Sequence, residues 1–322
     1  PESEFSWTEA YGNAALDPAV AHGADWSAAV AHAETRLSRR LDAGALETVH
    51  ARMQGWAEQP PQRMVVRGTG WGALESLRRA KGGEPPLAGA GAPFDADSLT
   101  DDQRPWLELL NGAGFAGARS YVAGEHWRVL LEALPPSAPG LLHLAVLAHA
   151  EGRVADADRL YRRSIELEPT TVAHRGLALL ARSAGDAATA VASYEVACRL
   201  DRRDRAVLVE AATALLELGR PDRAATLVRA ADATVRGNGR VRLLLARSLA
   251  DSGDGDAAVA ILRSGLEVED LREGENSVQS LWERLRPGEP VPERYRFDMQ
   301  QQAGVPVPAG RGPASIGSEE QG

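Results

Sequence analysis

AEGRVADADRLYRRSIELEP, residues 150–169, decides the fold. Gly152 follows an Ala- and Leu-rich run and allows the left-handed backbone that ends a helix. Ala157, Tyr161 and Ser164 then come round at helical spacing, small, large, small, and Pro169 stops a second helix. The same figure returns downstream. Gly152, Gly185, Gly219 and Gly253 are 33, 34 and 34 residues apart. Ala157, Ala190, Ala224 and Ala258 lie five residues past each glycine; Ala145, Ala178, Ala212 and Ala246 lie seven before it. Ser164, Ala197, Ala231 and Gly265 supply the next small position, and Tyr161, Tyr194, Val228 and Leu262 the large residue between. Two antiparallel helices approach closely only where side chains are small, and a bulky neighbour fills the gap beside them. A period carried by several independent positions predicts four consecutive helical hairpins over residues 136–270.

This pattern resembles the tetratricopeptide repeat, and residues 150–169 resemble its consensus closely. The resemblance implies a right-handed superhelical solenoid with a concave groove, and a role in holding a protein partner. The third and fourth copies depart from it, with Val228 and Leu262 in place of the aromatic and no closing proline.

Composition agrees with an all-α chain. Of 322 residues 44% are hydrophobic but only 5% aromatic, and Ala-rich segments suit close-packed helices. The formal net charge of -9 argues against nucleic-acid binding, which needs a basic face to neutralise phosphates. Lys81 is the sole lysine, an Arg bias expected of a GC-rich bacterial genome rather than of phosphate recognition. Cys198 is the sole cysteine, so neither an intrachain disulfide nor a cysteine-based metal site can form. With no leader-like opening and no apolar run long enough to span a bilayer, a cytoplasmic location off the membrane is expected. The first residue is Pro1 rather than Met, as expected of a processed chain or a piece of a longer one.

Residues 1–135 read as a non-periodic helical region. HGADWSAAVAHAETRLSRRL (22–41) puts Trp26, Val30, Ala33 and Leu37 on one helical face with Asp25 as its cap, and ALETVHARMQGWA (45–57) follows as a partner helix. A Gly/Pro-rich linker is predicted over 82–99, a capping segment over 271–299 with Val278, Leu281, Trp282 and Leu285 at helical spacing, and a disordered tail over 300–322. YGNAALDP (11–18), GWGALE (70–75), DLREGE (270–275) and FDM (297–299) resemble blocks in the C-terminal region of a bacterial domain-of-unknown-function family. Long members of that family are similar to a β-supersandwich, galactose-mutarotase-like part followed by tetratricopeptide repeats. The resemblance implies an alternative function: the helical C-terminal part of a larger carbohydrate-active protein.

Catalytic chemistry is not legible. Gly68, Gly70 and Ala73 imitate a dinucleotide loop, but the apolar run before them is short and no strand–helix alternation follows. A turn packing Trp71 against the helices is the reading adopted. His22, His32, His50, His126, His143, His149 and His174 form no zincin pair, and nucleophile elbow and P-loop are absent. Cys198, flanked by helix on both sides, reads as a buried small hydrophobe. No catalytic residue, metal or cofactor is therefore assigned.

One arrangement rises above this background. Arg175 and Arg182 are seven apart on a first helix, so they share a face; Arg240 and Arg247 repeat the spacing two hairpins later, and His149 is equivalent to Arg182 in the first hairpin. Opposite the packing alanines, these side chains are expected to line the groove. Guanidinium groups fit carboxylates, so the expected ligand is a protein partner, an acidic peptide or a neighbouring domain of the same longer protein. The Lys/Asn carboxylate clamp of some tetratricopeptide proteins is missing, since Leu142, Val146, Val209 and Thr213 hold comparable sites. The expected function is a protein-interaction scaffold without chemistry of its own.

Overall fold

In the computed structural model, residues 6–57, 59–60, 62–87, 93–269 and 275–296 are described, and they hold helices and no strand. FDM and the predicted tail, and most of DLREGE, lie outside them. The chain divides into two compact units, one taking residues up to Val122 with Val129–Leu134, the other Ala123–Arg128 and everything from Pro135. Helix α6 (Glu125–Glu132) spans the boundary.

The first unit contains α1 (Pro18–Ala21), α2 (Trp26–Ser38), α3 (Ala43–Ala57), α4 (Gly70–Gly82) and α5 (Arg104–Leu110). Asp25 caps α2 as expected, its Oδ1 accepting from Ala28 N at 3.1 Å. The apolar face predicted on α2 packs only in part, however: Val30 and Ala33 are half-buried, but Trp26 is 79% exposed and Leu37 56%. The core of this unit lies instead around α4 and α5, with Ala73, Leu74, Trp106, Leu109 and Leu110 buried. Trp106 stacks at a tilt on Phe115 and donates from Nε1 to Ser120 Oγ at 3.0 Å. Buried Arg78 is held between Glu75 and Glu84, which together match its fork of donors.

The stretch that imitates a dinucleotide loop is a packing device. A Cβ on Gly72 would run into the Phe94 ring, and one on Gly70 into the Gln103 side chain and the Ser98 carbonyl. The expectation for Trp71 is corrected: its neighbours Gly70 and Gly72 are buried, whereas Trp71 itself is 38% exposed. Glycine at both neighbours lets the 93–103 segment approach the helix start, which turns the tryptophan between them outward.

The second unit is the solenoid. Its hairpins are α7 (Ala138–Ala150) with α8 (Val154–Leu167), α9 (Thr171–Ser183) with α10 (Ala187–Leu200), α11 (Arg205–Glu217) with α12 (Pro221–Ala230), and α14 (Gly239–Asp251) with α15 (Gly255–Arg263). A short helix, α13 (Ala233–Arg236), joins the third to the fourth, and α16 (Ser277–Leu285) follows. Each first helix ends two residues before its glycine, and Gly152, Gly185, Gly219 and Gly253 all have positive φ, 67° to 88°. The residue after each glycine donates back across the last turn, as from Arg153 N to Ala148 O at 2.8 Å and Asp254 N to Leu249 O at 2.8 Å. Ala187 is the first residue of α10, because Asp186 already caps the helix by accepting from Thr189 N.

The repeated small positions are closed. Ala145, Ala178, Ala212, Ala246, Ala157, Ala190, Ala224 and Ala258 are each 0% exposed, and Tyr161, Tyr194, Val228 and Leu262 fill the spaces beside them. The second helices shorten along the array, from 14 residues in α8 and α10 to 10 and 9 in α12 and α15. α12 ends where Ala231 turns extended and Asp232 N donates to Arg202 O; Asp232 then caps α13. α16 covers the far end. Val278, Leu281 and Trp282 are buried with Leu243, Leu249, Leu262 and Leu266 in one cluster, completed by Tyr295, whose hydroxyl donates to Leu262 O and accepts from Leu266 N.

Candidate functional site: the exposed face of the first helices

With the alanine seam buried, each first helix presents its other side away from its own partner helix. On α9 that side carries Arg175 and Arg182, and on α14 Arg240 and Arg247. Three of these four are ion-paired, two to the next first helix, α11, and one to Glu275 just before α16. Arg175 donates from Nε and Nη2 to Glu210 Oε2 on α11 at 2.8 and 2.6 Å. Arg182 lies 3.8 Å from Glu217 one heptad further on. Arg240 makes a two-pronged pair with Glu275, from Nη1 to Oε1 at 2.7 Å and Nη2 to Oε2 at 3.1 Å. All three glutamates sit 35 residues after their arginine, one repeat plus one residue. Glu210, Glu217 and Glu275 were missed from the sequence, and this shared spacing was the signal that would have found them.

Arg247 is exposed and has no ion-pair partner among the described residues. Measured from the glycine of its own repeat, it also stands elsewhere than Arg182: three residues before Gly185 for Arg182, six before Gly253 for Arg247. The two pairs of arginines therefore share a spacing but not a register, being displaced by about one turn. His149 does hold the Arg182 position, and its ring packs edge-on to Tyr161 with centroids 6.2 Å apart. The Tyr161 hydroxyl is 3.5 Å from its Nδ1.

Glu210 is held from a second side. Tyr194 on α10 donates to Glu210 Oε1 at 3.1 Å, so one carboxylate ties together α9, α10 and α11. Burial, then the nearby Glu210 charge, pushes the Tyr194 phenol up to about 12, so it is a donor throughout the neutral range. One hairpin earlier the place equivalent to Glu210 is Gly176, where a Cβ would enter the Tyr161 ring. Tyrosine over glycine in one step and tyrosine to glutamate in the next are two solutions to the same contact.

The remaining chemistry is quiet. Burial pushes the Cys198 thiol up to about 12, the state of an unreactive packing residue. No group of His, Cys, Asp or Glu among the described residues has the arrangement of a metal site. No described helix is long and apolar enough to cross a membrane.

Comparison with known families bears on the end of the array. Residues 219–273 match the tetratricopeptide repeat family. The match runs from Gly219 through α12 to α15 and just beyond, and the earlier hairpins share its glycine and alanine register. Tetratricopeptide-type packing is thus the architecture of the solenoid. No curated protein matches the chain in sequence. Among solved structures, a protein titled MamA MSR-1 C2 is 21% identical and aligns with a TM-score of 0.35, over 49% of this chain and 86% of its own. Another MamA crystal structure is 15% identical with a TM-score of 0.36, over 52% and 86%. The Pseudomonas aeruginosa pilF structure is 16% identical with a TM-score of 0.35, over 49% and 79%. Likeness at this level carries no argument about function.

Proposed function

We propose that the chain is a protein-interaction scaffold and that the first helices of its hairpins offer the binding face. The observation that carries this reading is the uniform burial of the alanine seam in all four hairpins. It turns one side of each first helix away from its partner in every repeat, so that side chains from several helices line one surface. Leu142, Val146, Val209 and Thr213 on that side are half-buried, and they alternate with the Arg–Glu pairs. A surface of this kind offers apolar anchors inside a polar frame, which suits a peptide or a protein loop better than a small substrate. Arg175 and Arg182 act mainly to lock consecutive repeats in register, and Arg240 to hold the segment that leads into α16. Nothing among the described residues points to glycan chemistry.

A photo-crosslinking amino acid at Thr213 tests the proposal against the same residue at Arg163, exposed on α8. In a lysate of the source cell, Thr213 is expected to capture a discrete protein and Arg163 is not. Capture from both positions alike, or from neither, would overturn it.

A further inference from the structure

We infer that the cavity between α14 and α16 is a carboxylate-binding site, with Arg247 as its anchor. This rests on the scaffold reading and names the chemistry of one contact within it. The cavity measures about 310 Å³ and is lined by Arg247 and Asp251 of α14 and by Asn276, Ser277, Ser280 and Arg284 of α16 and its start. That is the low end of the range for ligand sites, room for a side chain rather than a cofactor.

The charges in its wall are unequally matched. Asp251 is four residues after Arg247 on the same helix and would be its natural partner, although an acid placed C-terminal to a base is the weaker order on a helix. Arg284 takes that carboxylate instead, with Nη1 at 2.7 Å from Oδ1. Arg247 is left with no ion-pair partner among the described residues, whereas the other three arginines of the groove are paired. Ser280 and Asn276 likewise keep their side-chain donors uncommitted, and Ser277 donates to Glu275 at 2.7 Å. One unmatched guanidinium with uncommitted hydroxyl and amide donors beside it fits a single negative charge with two acceptor oxygens. A phosphate dianion fits worse, because Asp251 stands in the same wall and repels the second charge. On a chain of net charge -9, an acidic group finds few such places.

The test is a titration followed by NMR of arginine side-chain Nε–H signals in the full chain. Acetyl-Gly-Glu-Gly-amide offers only a side-chain carboxylate, and acetyl-Gly-Gly-Gly with a free terminus only a main-chain one. One guanidinium signal is expected to shift saturably with at least one peptide, and whichever does so identifies the source of the carboxylate. That signal should disappear in Arg247→Gln and persist in Arg163→Gln. Ser280→Phe, which fills the cavity from an exposed position, should abolish the shift while leaving the Arg247 signal in place. A saturable shift unchanged in Arg247→Gln, or no saturable shift with either peptide, would overturn the inference. So would tighter binding of inorganic phosphate than of either peptide. Capture of a protein at Thr213 with no such shift would sink the carboxylate site alone and leave the scaffold standing.

Discussion

Ala190 is 0% exposed in the seam between α9 and α10, about one turn from Tyr194, so a longer side chain there has nowhere to go. Ala190→Leu is expected to cost about 1–3 kcal/mol, since the helices cannot part without losing their other contacts. Ala188→Leu, exposed on the same helix, should stay within about 0.5 kcal/mol. Urea denaturation of the two variants checks the register, and equal losses would show it to be wrong. Cys198 gives a prediction of another kind. Its thiol rises from the ordinary 9.0 to about 12 through burial, so the native state keeps a proton that the unfolded chain releases above pH 9. Stability from this group is complete below pH 9 and is lost as pH climbs toward 12. Between about pH 8 and about pH 10.5 the urea midpoint of Cys198→Ala should fall less than that of the wild type. Tyr194 adds a loss above its ordinary 10.0 that both chains share. Equal falls would mean the thiol is not held protonated.

At the scale of elements, the array is set by backbone demands, and those are what a sequence displays best. Gly239, the first residue of α14, illustrates one that periodicity did not reveal. A Cβ there would collide with the Glu267 carbonyl oxygen, where the chain returns from α15 toward α16. Gly255, at the same position of α15, would meet only Leu285 at 3.4 Å. Alanine is the better helix former at both places, by about 1 kcal/mol on propensity alone. Gly255→Ala is therefore expected to be neutral or stabilising in thermal melts, and Gly239→Ala destabilising by about 1–3 kcal/mol. The same sign at both would refute close packing of the 267–268 backbone. The alanine seam and the helix-ending glycines were legible because each is forced by one local contact repeated four times. The ion-pair partners were not, because an arginine's sequence position shows its face but not which neighbour the fold brings opposite. The displaced register of Arg240 and Arg247 was legible by counting back from Gly253, but a spacing of seven alone fixes a shared face and leaves the height along the helix open.

At the scale of the molecule, the two units differ in how completely the described residues cover their apolar side chains. Trp7, Tyr11, Trp26, Trp56, Val65 and Val66 of the first unit are all more than 60% exposed, a property that helical periodicity could not foretell because a pattern marks a face without marking what covers it. The solenoid is closed at its far end by α16, and a stack of repeats gains stability from each interface with the next. Trp282 is central to that closure, 5% exposed against Leu243, Leu262 and Leu281, with the Arg263 guanidinium 5.8 Å from its ring. Trp282→Ala removes the largest side chain of the cluster and should cost about 3–5 kcal/mol locally. In a nearest-neighbour stack that loss is not shared evenly. Amides of α14 and α15 are expected to exchange much faster in the variant, those of α11 and α12 somewhat faster, and those of α7 and α8 at the wild-type rate. Hydrogen exchange resolved by helix measures this gradient directly. Equal acceleration from α7 to α16 would show that the hairpins unfold as one body, and the view of the array as a row of coupled repeats would then have to be given up.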